Sequence, residues 1–239
     1  MIDIHTHLLP NIDDGSQSWE ESLELLKNAH DDGISDIIVT PHYDIGGYYH
    51  KSRDEIIELI NSLKEKASDI DVNIYPGNEI YIDKGVVDEL KEGKISCLGN
   101  SNYVLIEFPF TYYEDYYDDI LYDIKNAGYQ IIIAHPERYS YVKEDIEFVN
   151  RWIKEGYKLQ CNGSSLKHHQ RTMDKLLSNK FVSYIASDGH NIRRPILLKE
   201  AYDFVSNKYE KQYADELFEI NARIILWFQR ENVLNLIKY

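Results

Sequence analysis

At 239 residues, 43% of them hydrophobic and 28% charged, the chain has material for a sizeable core and none of the bias of a disordered one. Its net charge of −15 would repel nucleic acid and anionic lipid, because binders of phosphate polymers cluster Lys and Arg, so a nucleic-acid substrate starts with a penalty. No apolar run approaches the ~20 residues of a bilayer span and no basic-then-apolar leader opens the sequence, so a cytoplasmic location is expected. Cys97 and Cys161 are expected as reduced, buried thiols.

Met1 to His5 reads as a strand, and Ser18, Trp19, Glu20 and Glu21 open a helix with acids at its positive end. That helix stops near Gly33. Asp36 to Thr40 is an apolar strand ended by Pro41; a loop with Gly46 and Gly47 follows, then a helix from about Arg53 to Ser68. Val72 to Tyr75 is the third strand. Further strands are predicted at Tyr103–Phe108, Gln130–Ala134, Lys158–Cys161 and Val182–Ala186. Helices are predicted at Val86–Glu92, Tyr116–Ala127, Ile146–Glu155, Gln170–Ser178 and Leu197–Asn207. The last stretch, Glu216 to Ile237, carries Leu217, Ile220, Ile224, Leu226, Phe228 and Leu234, with Asn221 as an interruption or cap. It reads as one or two helices whose apolar positions pack within the monomer or against a second subunit of a homo-oligomer. No linker or repeat divides the chain, so a single domain over residues 1–239 is expected. The alternation favours an α/β barrel, regular with eight strands or irregular with seven. An open doubly wound sheet is the competitor, although it lacks a glycine-rich phosphate loop here.

His5-Thr6-His7 sends two imidazoles to one side of a strand end, where two nitrogens can grip one cation. A pair of hydrogen-bonded surface histidines would have the same spacing. Asp13-Asp14-Gly15 reads on its own as an Asx turn with Gly at positive φ. His42 follows Thr40-Pro41 at the second strand end, and Glu79 follows the third strand. Glu107 lies inside an apolar strand, where an unpaired carboxylate costs several kcal/mol. His135 and Glu137 close another strand, and Asp188 and His190 a later one. Each is ordinary alone; the repetition of His, Asp or Glu at nearly every strand end is not, because those ends form the active-site face of such barrels. Nine candidate ligands, His5, His7, Asp14, His42, Glu79, Glu107, His135, Asp188 and His190, exceed the four to six that one ion takes. Two or three divalent ions sharing a carboxylate are therefore implied, with Mn, Fe or Zn suited to the mixture of nitrogen and oxygen. Phosphoester hydrolysis is the reaction such a cluster fits best. Arg138 and the pair Arg193-Arg194 are candidate phosphate holders. His30, His50, His168 and His169 lack matching neighbours.

The blocks His5-Thr6-His7, Asp13-Asp14-Gly15, Thr40-Pro41-His42, Glu107-Phe108-Pro109, His135-Pro136-Glu137-Arg138 and Ser187-Asp188 with His190 together resemble the polymerase-and-histidinol-phosphatase superfamily. Within it they are similar to the manganese-dependent protein tyrosine phosphatases linked to capsule and exopolysaccharide synthesis. The resemblance, which runs from residue 1 to about 195, implies a distorted TIM-like (β/α)7 barrel and three metal ions, Mn foremost. It implies one ion held by His5, His7, Glu79 and Asp188, a second by Glu79, Glu107 and His135, and a third by Asp14, His42 and His190. Asp188 would help hold a metal-bridging hydroxide that attacks phosphorus directly. Arg138 and Arg194 would bind phosphate, with Arg193 the alternative to Arg194. The implied partner is a phosphotyrosine-bearing protein, the tail of an autophosphorylating bacterial tyrosine kinase. A small-molecule phosphatase of the histidinol-phosphate type is the alternative that the same metals would serve.

Overall fold

The computed structural model describes residues 1–227, so Phe228 and Leu234 of the C-terminal expectation lie outside the described residues. In chain order the strands are β1 (Ile2–Thr6), β2 (Asp36–Val39), β3 (His42–Tyr43), β4 (Asn73–Pro76), β5 (Glu79–Tyr81), β6 (Tyr103–Glu107), β7 (Gln130–Ala134), β8 (Lys158–Asn162) and β9 (Tyr184–Ala186). All the pairings between them are parallel, β1-β2-β4 in one sheet and β3-β5-β6-β7-β8-β9 in the other.

Among the described residues the nine strands form seven staves, because β2 with β3 and β4 with β5 are each one stave broken by proline. Pro41, between β2 and β3, has no N–H to give to a ladder, and Pro76 ends β4 for the same reason. Asn78 stitches the break: its Nδ2 donates to the Pro41 carbonyl at 3.1 Å and its Oδ1 accepts from Ser96 N at 2.8 Å. Gly77 admits no larger residue, since a Cβ there would stand 2.9 Å from both Ile38 Cγ2 and Leu98 Cδ2. The ring closes where Asp188 N donates to His5 O at 2.9 Å and His7 N donates to Gly189 O at 2.8 Å. That closure removes the open doubly wound sheet and leaves a seven-staved barrel.

Period-two alternation divides the strand residues between two apolar layers. Ile2, Ile4, Ile38, Leu105, Ile132, Ala134, Tyr184 and Ala186 face inward, while Ile37, Val39, Val104, Ile106, Ile131, Ile133, Leu159, Cys161 and Ile185 face the helices. The surrounding helices are α1 (Trp19–Asp31), α2 (Arg53–Lys66), α3 (Val86–Lys91), α4 (Tyr116–Asn126), α5 (Ser140–Glu144), α6 (Asn150–Lys154), α7 (Ser165–His168), α8 (Gln170–Ser178), α9 (Lys199–Lys208) and α10 (Lys211–Asp215). Ser18 caps α1 by accepting from Glu21 N, and Ser52 with Glu55 forms a capping box on α2. The predicted helix over 146–155 is instead a 3₁₀ turn, Ile146–Val149, followed by α6.

Helix α10 continues through a π-helical turn, Glu216–Ile220, into helical residues 221–227. Asn221 therefore neither interrupts nor caps the helix. The irregularity lies just before it, and its Nδ2 donates to Ser183 O at 2.9 Å, tying the helix to the barrel. Ala222, Ile225 and Leu226 then floor the inner layer and Leu217 is buried, so these apolar positions are spent within the monomer, whereas Ile220 and Ile224 on the same helix are exposed. No helix among the described residues is long and apolar enough to cross a membrane.

Candidate metal centre

The polar residues gather at the C-terminal mouth of the barrel, above the inner apolar layer. A register shift between Asp3 and Thr6 lets His5 follow Ile4 onto the inner side, which strict alternation forbids. His42 lies on β3 and Glu79 on β5; Glu107 is the last inward position of β6, two residues beyond Leu105. His135 and Asp188 stand just past β7 and β9 with left-handed backbone, φ 31° and 51°. Such strain in residues with a Cβ persists only where the surroundings impose it.

All nine predicted ligands come together. Ligand atoms ~2.1 Å from a common ion stand roughly 3.0–3.4 Å apart in octahedral or tetrahedral geometry. Around His5 the spacings are of that size: its Nε2 is 3.3 Å from His7 Nε2, 3.1 Å from Glu79 Oε2 and 3.5 Å from Asp188 Oδ1. His135 Nε2 lies 2.7 Å from Glu79 Oε1 and 3.6 Å from Glu107 Oε1. Asp14 Oδ1 stands 3.3 Å from His42 Nε2 and 3.5 Å from His190 Nε2. Glu79 touches both of the first two groups, and its Oε2 also lies 3.2 Å from His42 Nδ1. His30, His50, His168 and His169 belong to none of the candidate ion-holding groups among the described residues.

Hydrogen bonds on the outer sides of the rings set the tautomers. His190 Nδ1 donates to the Asp188 carbonyl at 2.9 Å, which can only accept, so Nε2 keeps its lone pair for the Asp14 side. His7 Nδ1 donates to Asp13 Oδ2 at 2.8 Å and His5 Nδ1 to Gln160 Oε1 at 2.9 Å, leaving both Nε2 atoms turned inward. Donor–acceptor pairs of this kind are what orient metal-bound imidazoles. No Lys or Arg among the described residues pairs with Glu79 or Glu107, both buried, and His135 Nδ1 is buried with no hydrogen-bond partner. Such a donor set fits cations and is costly without them.

The electrostatics follow. Burial would raise the Glu79 carboxyl, but His5, His42 and His135 hold it well below the ordinary range. Burial and the neighbouring Glu79 push Glu107 up to about 6. Burial would lower His5, but Glu79 and Asp188 outweigh it and raise it to about 8. Ion-free protein thus carries a proton on His5 below about pH 8, and an arriving cation must expel it. The expected result is manganese affinity that falls at least tenfold between pH 8.5 and 6.5, with proton release in calorimetry. Affinity constant over that range would contradict the assignment of His5 as a ligand.

Asp188 divides its two oxygens. Oδ1 faces His5, His7 and His190, the last at 3.4 Å, while Oδ2 accepts from Arg138 Nη1 at 3.0 Å, Arg194 Nη2 at 2.8 Å and Asn162 Nδ2 at 2.6 Å. Arg193 does not join this group; its backbone N donates to Asn191 Oδ1 and its side chain is exposed.

Sequence reasoning missed three supporting side chains. Asp13 does form the expected Asx turn, Gly15 N donating to its Oδ1 at 2.9 Å, but its other oxygen binds His7 and the His42 backbone N. Gly15 is needed for space and not for positive φ: a Cβ would lie 2.2 Å from His7 O. Gln160 and Asn162 occupy alternate positions of β8, joined by a 2.9 Å bond, and support His5 and Asp188 respectively. Two polar residues at period two in an apolar strand were the available signal.

The family model described as capsular polysaccharide synthesis, CpsB/CapC, matches residues 1–227. Tyrosine-protein phosphatase YwqE of Bacillus subtilis is 31% identical over 234 residues, covering 95% of this chain and 91% of the relative. Tyrosine-protein phosphatase CpsB of Streptococcus pneumoniae is 32% identical over 243 residues, covering 96% and 99%. A solved structure from work on these two, described as unique metal-dependent tyrosine phosphatases, superposes with a TM-score of 0.90 at 31% identity, over 96% of this chain and 95% of the other. A lactonase from Listeria monocytogenes, 11% identical with a TM-score of 0.58, shares the fold alone. With the seven-staved barrel and this mouth of histidines and carboxylates, the chain belongs to the CpsB/CapC family of capsular polysaccharide synthesis.

Proposed function

We propose that this protein is a metal-dependent protein tyrosine phosphatase that removes phosphate from tyrosine on a phosphoprotein. The observation that carries the reading is the divided Asp188 carboxylate, which joins the inward-facing histidines to two arginines. His5, His7, Glu79 and Asp188 would hold one ion, Glu79, Glu107 and His135 a second, and Asp14, His42 and His190 a third. Manganese is our assignment, with iron and zinc as alternatives for the same donors. Bound divalent ions supply Lewis acidity, lowering the pKa of water and offsetting the charge that develops on a phosphoryl group.

The side chains divide the remaining work. Arg138 and Arg194 turn from Asp188 Oδ2 to the phosphoryl oxygens, which match their planar forks. Asp188 Oδ2, freed of the guanidinium groups, accepts a hydrogen bond from the attacking water and orients it. Asn162 Nδ2 keeps the carboxylate in place meanwhile. No thiol takes part: burial raises Cys161 far above its ordinary pKa and Cys97 to about 11, so neither is a thiolate at neutral pH. Cys161→Ala and Cys97→Ser are expected to keep turnover within about twofold; loss of turnover in either folded variant would point to a cysteinyl-phosphate route.

Support for a protein substrate comes from the relatives' activity and from a groove of about 780 Å³ that starts at Arg138 and Arg194 and runs over α7 and α9. That space suits polypeptide flanking a phosphotyrosine, for which the tail of an autophosphorylating kinase is our candidate in a reducing cytoplasm. Exhaustive chelation is expected to abolish phosphate release from a phosphotyrosine peptide and added Mn to restore it. Full activity after metal removal would end this reading. Faster turnover of histidinol phosphate than of the peptide would replace it with the small-molecule alternative.

A further inference from the structure

Resting on the phosphatase reading, we infer that the half-exposed ring of Phe110 is the subsite for the aromatic ring of the phosphate ester. Phe110 lies three residues past Glu107. Phe108, two residues before it, turns outward and stacks on Trp152 at 5.6 Å in the helix layer. Phe110 turns to the mouth instead. The Arg138 guanidinium carbon lies 4.6 Å from its ring centre, and the ring stacks on His135 at 5.7 Å and 27°. Its carbonyl accepts from Ser140 N at 2.8 Å, so the backbone that carries the ring is pinned to the segment following β7.

This ring is 39% exposed beside Arg138 and the histidine–carboxylate cluster, although the helix layer offers a dry place for an aromatic side chain. Arg138, His135 and Tyr139, the last with its ring centre 5.9 Å away, cover part of the ring, and the exposed part meets solvent beside Arg138, where a phosphate held by that guanidinium would carry its ester group. An aryl ring follows phosphorus by a single oxygen, which brings it within the 4.5–7 Å centroid range of offset or edge-to-face aromatic pairs. Tyr49 stacks on His42 at 5.6 Å, a second aromatic side chain against the ligand cluster. An alkyl phosphate gains less from either. Aryl selectivity thus comes from loop side chains, whereas the metals and arginines see only the phosphoryl group.

The test is equilibrium binding of two non-hydrolysable probes to the manganese-loaded full chain, by calorimetry: benzylphosphonate, whose methylene replaces the ester oxygen between phosphorus and ring, and methylphosphonate, without a ring. Wild-type protein should bind benzylphosphonate about tenfold more tightly than methylphosphonate. Phe110→Ala should weaken benzylphosphonate about tenfold and methylphosphonate less than twofold, and Phe110→Tyr should restore the difference. Phe110→Leu, which keeps bulk against Arg138 and His135, guards against collapse of the mouth and should lose the same selectivity. Equal losses for both probes would reduce Phe110 to a shield for Arg138 and overturn the subsite, as would a wild type indifferent to the ring. Wild-type protein that binds neither phosphonate would overturn the phosphatase reading itself.

Discussion

Glu79→Gln should cost on the order of 10³-fold in kcat, with a fall in bound metal measurable by elemental analysis. Glu79 is fully buried, and its two oxygens lie within 3.2 Å of His5, His7, His42 and His135. The amide keeps the shape and removes the charge, so the effect isolates electrostatics from packing. It also replaces one acceptor with an N–H that points at lone pairs. A variant with a full metal complement and activity within tenfold of wild type would show that Glu79 is not the shared carboxylate.

Arg194→Ala should lower kcat/KM for a phosphotyrosine peptide by about 10²-fold, while Arg193→Ala should change it less than threefold. The contrast follows from geometry. Arg194 reaches both the carboxylate and the carbonyl of Asp188, at 2.8 and 3.2 Å, and Arg193 reaches neither. Arg194→Lys is expected to recover little, because an ammonium keeps the charge and loses the fork. The reverse order of the two alanine effects would exchange the assignments.

The barrel and its mouth were readable from the sequence because their periods are local. Leu105 and Glu107, two residues apart on β6, carry the transition from apolar core to polar mouth within one strand, and a carboxylate in that setting announces a partner. Asn221 was misread because polarity in a helix is ambiguous: the side chain serves Ser183, a residue 38 positions away, and no local pattern records that. The same limit hid Gln160. Its bonds go to His5, 155 residues earlier, and to the backbone of His135, so its purpose exists only after closure. Arg193 and Arg194 are equivalent as letters and differ by where one turn of chain directs them. The Asx turn at Asp13 was legible, whereas the second use of the same carboxylate was not.

The floor of the barrel joins the two extremes of the described chain, Ile2 and Ile4 resting on Ala222, Ile225 and Leu226. A growing polypeptide therefore cannot finish its inner layer until residues 222–226 have been made, and β1 waits for both its lateral neighbour β9 and the plug beneath it. Entropy of closing so long a loop is added to every route by which the histidines of β1 reach their final positions. Assembly of the mouth is consequently a late event, and truncation that spares every site residue but removes the plug would leave those histidines standing over a void.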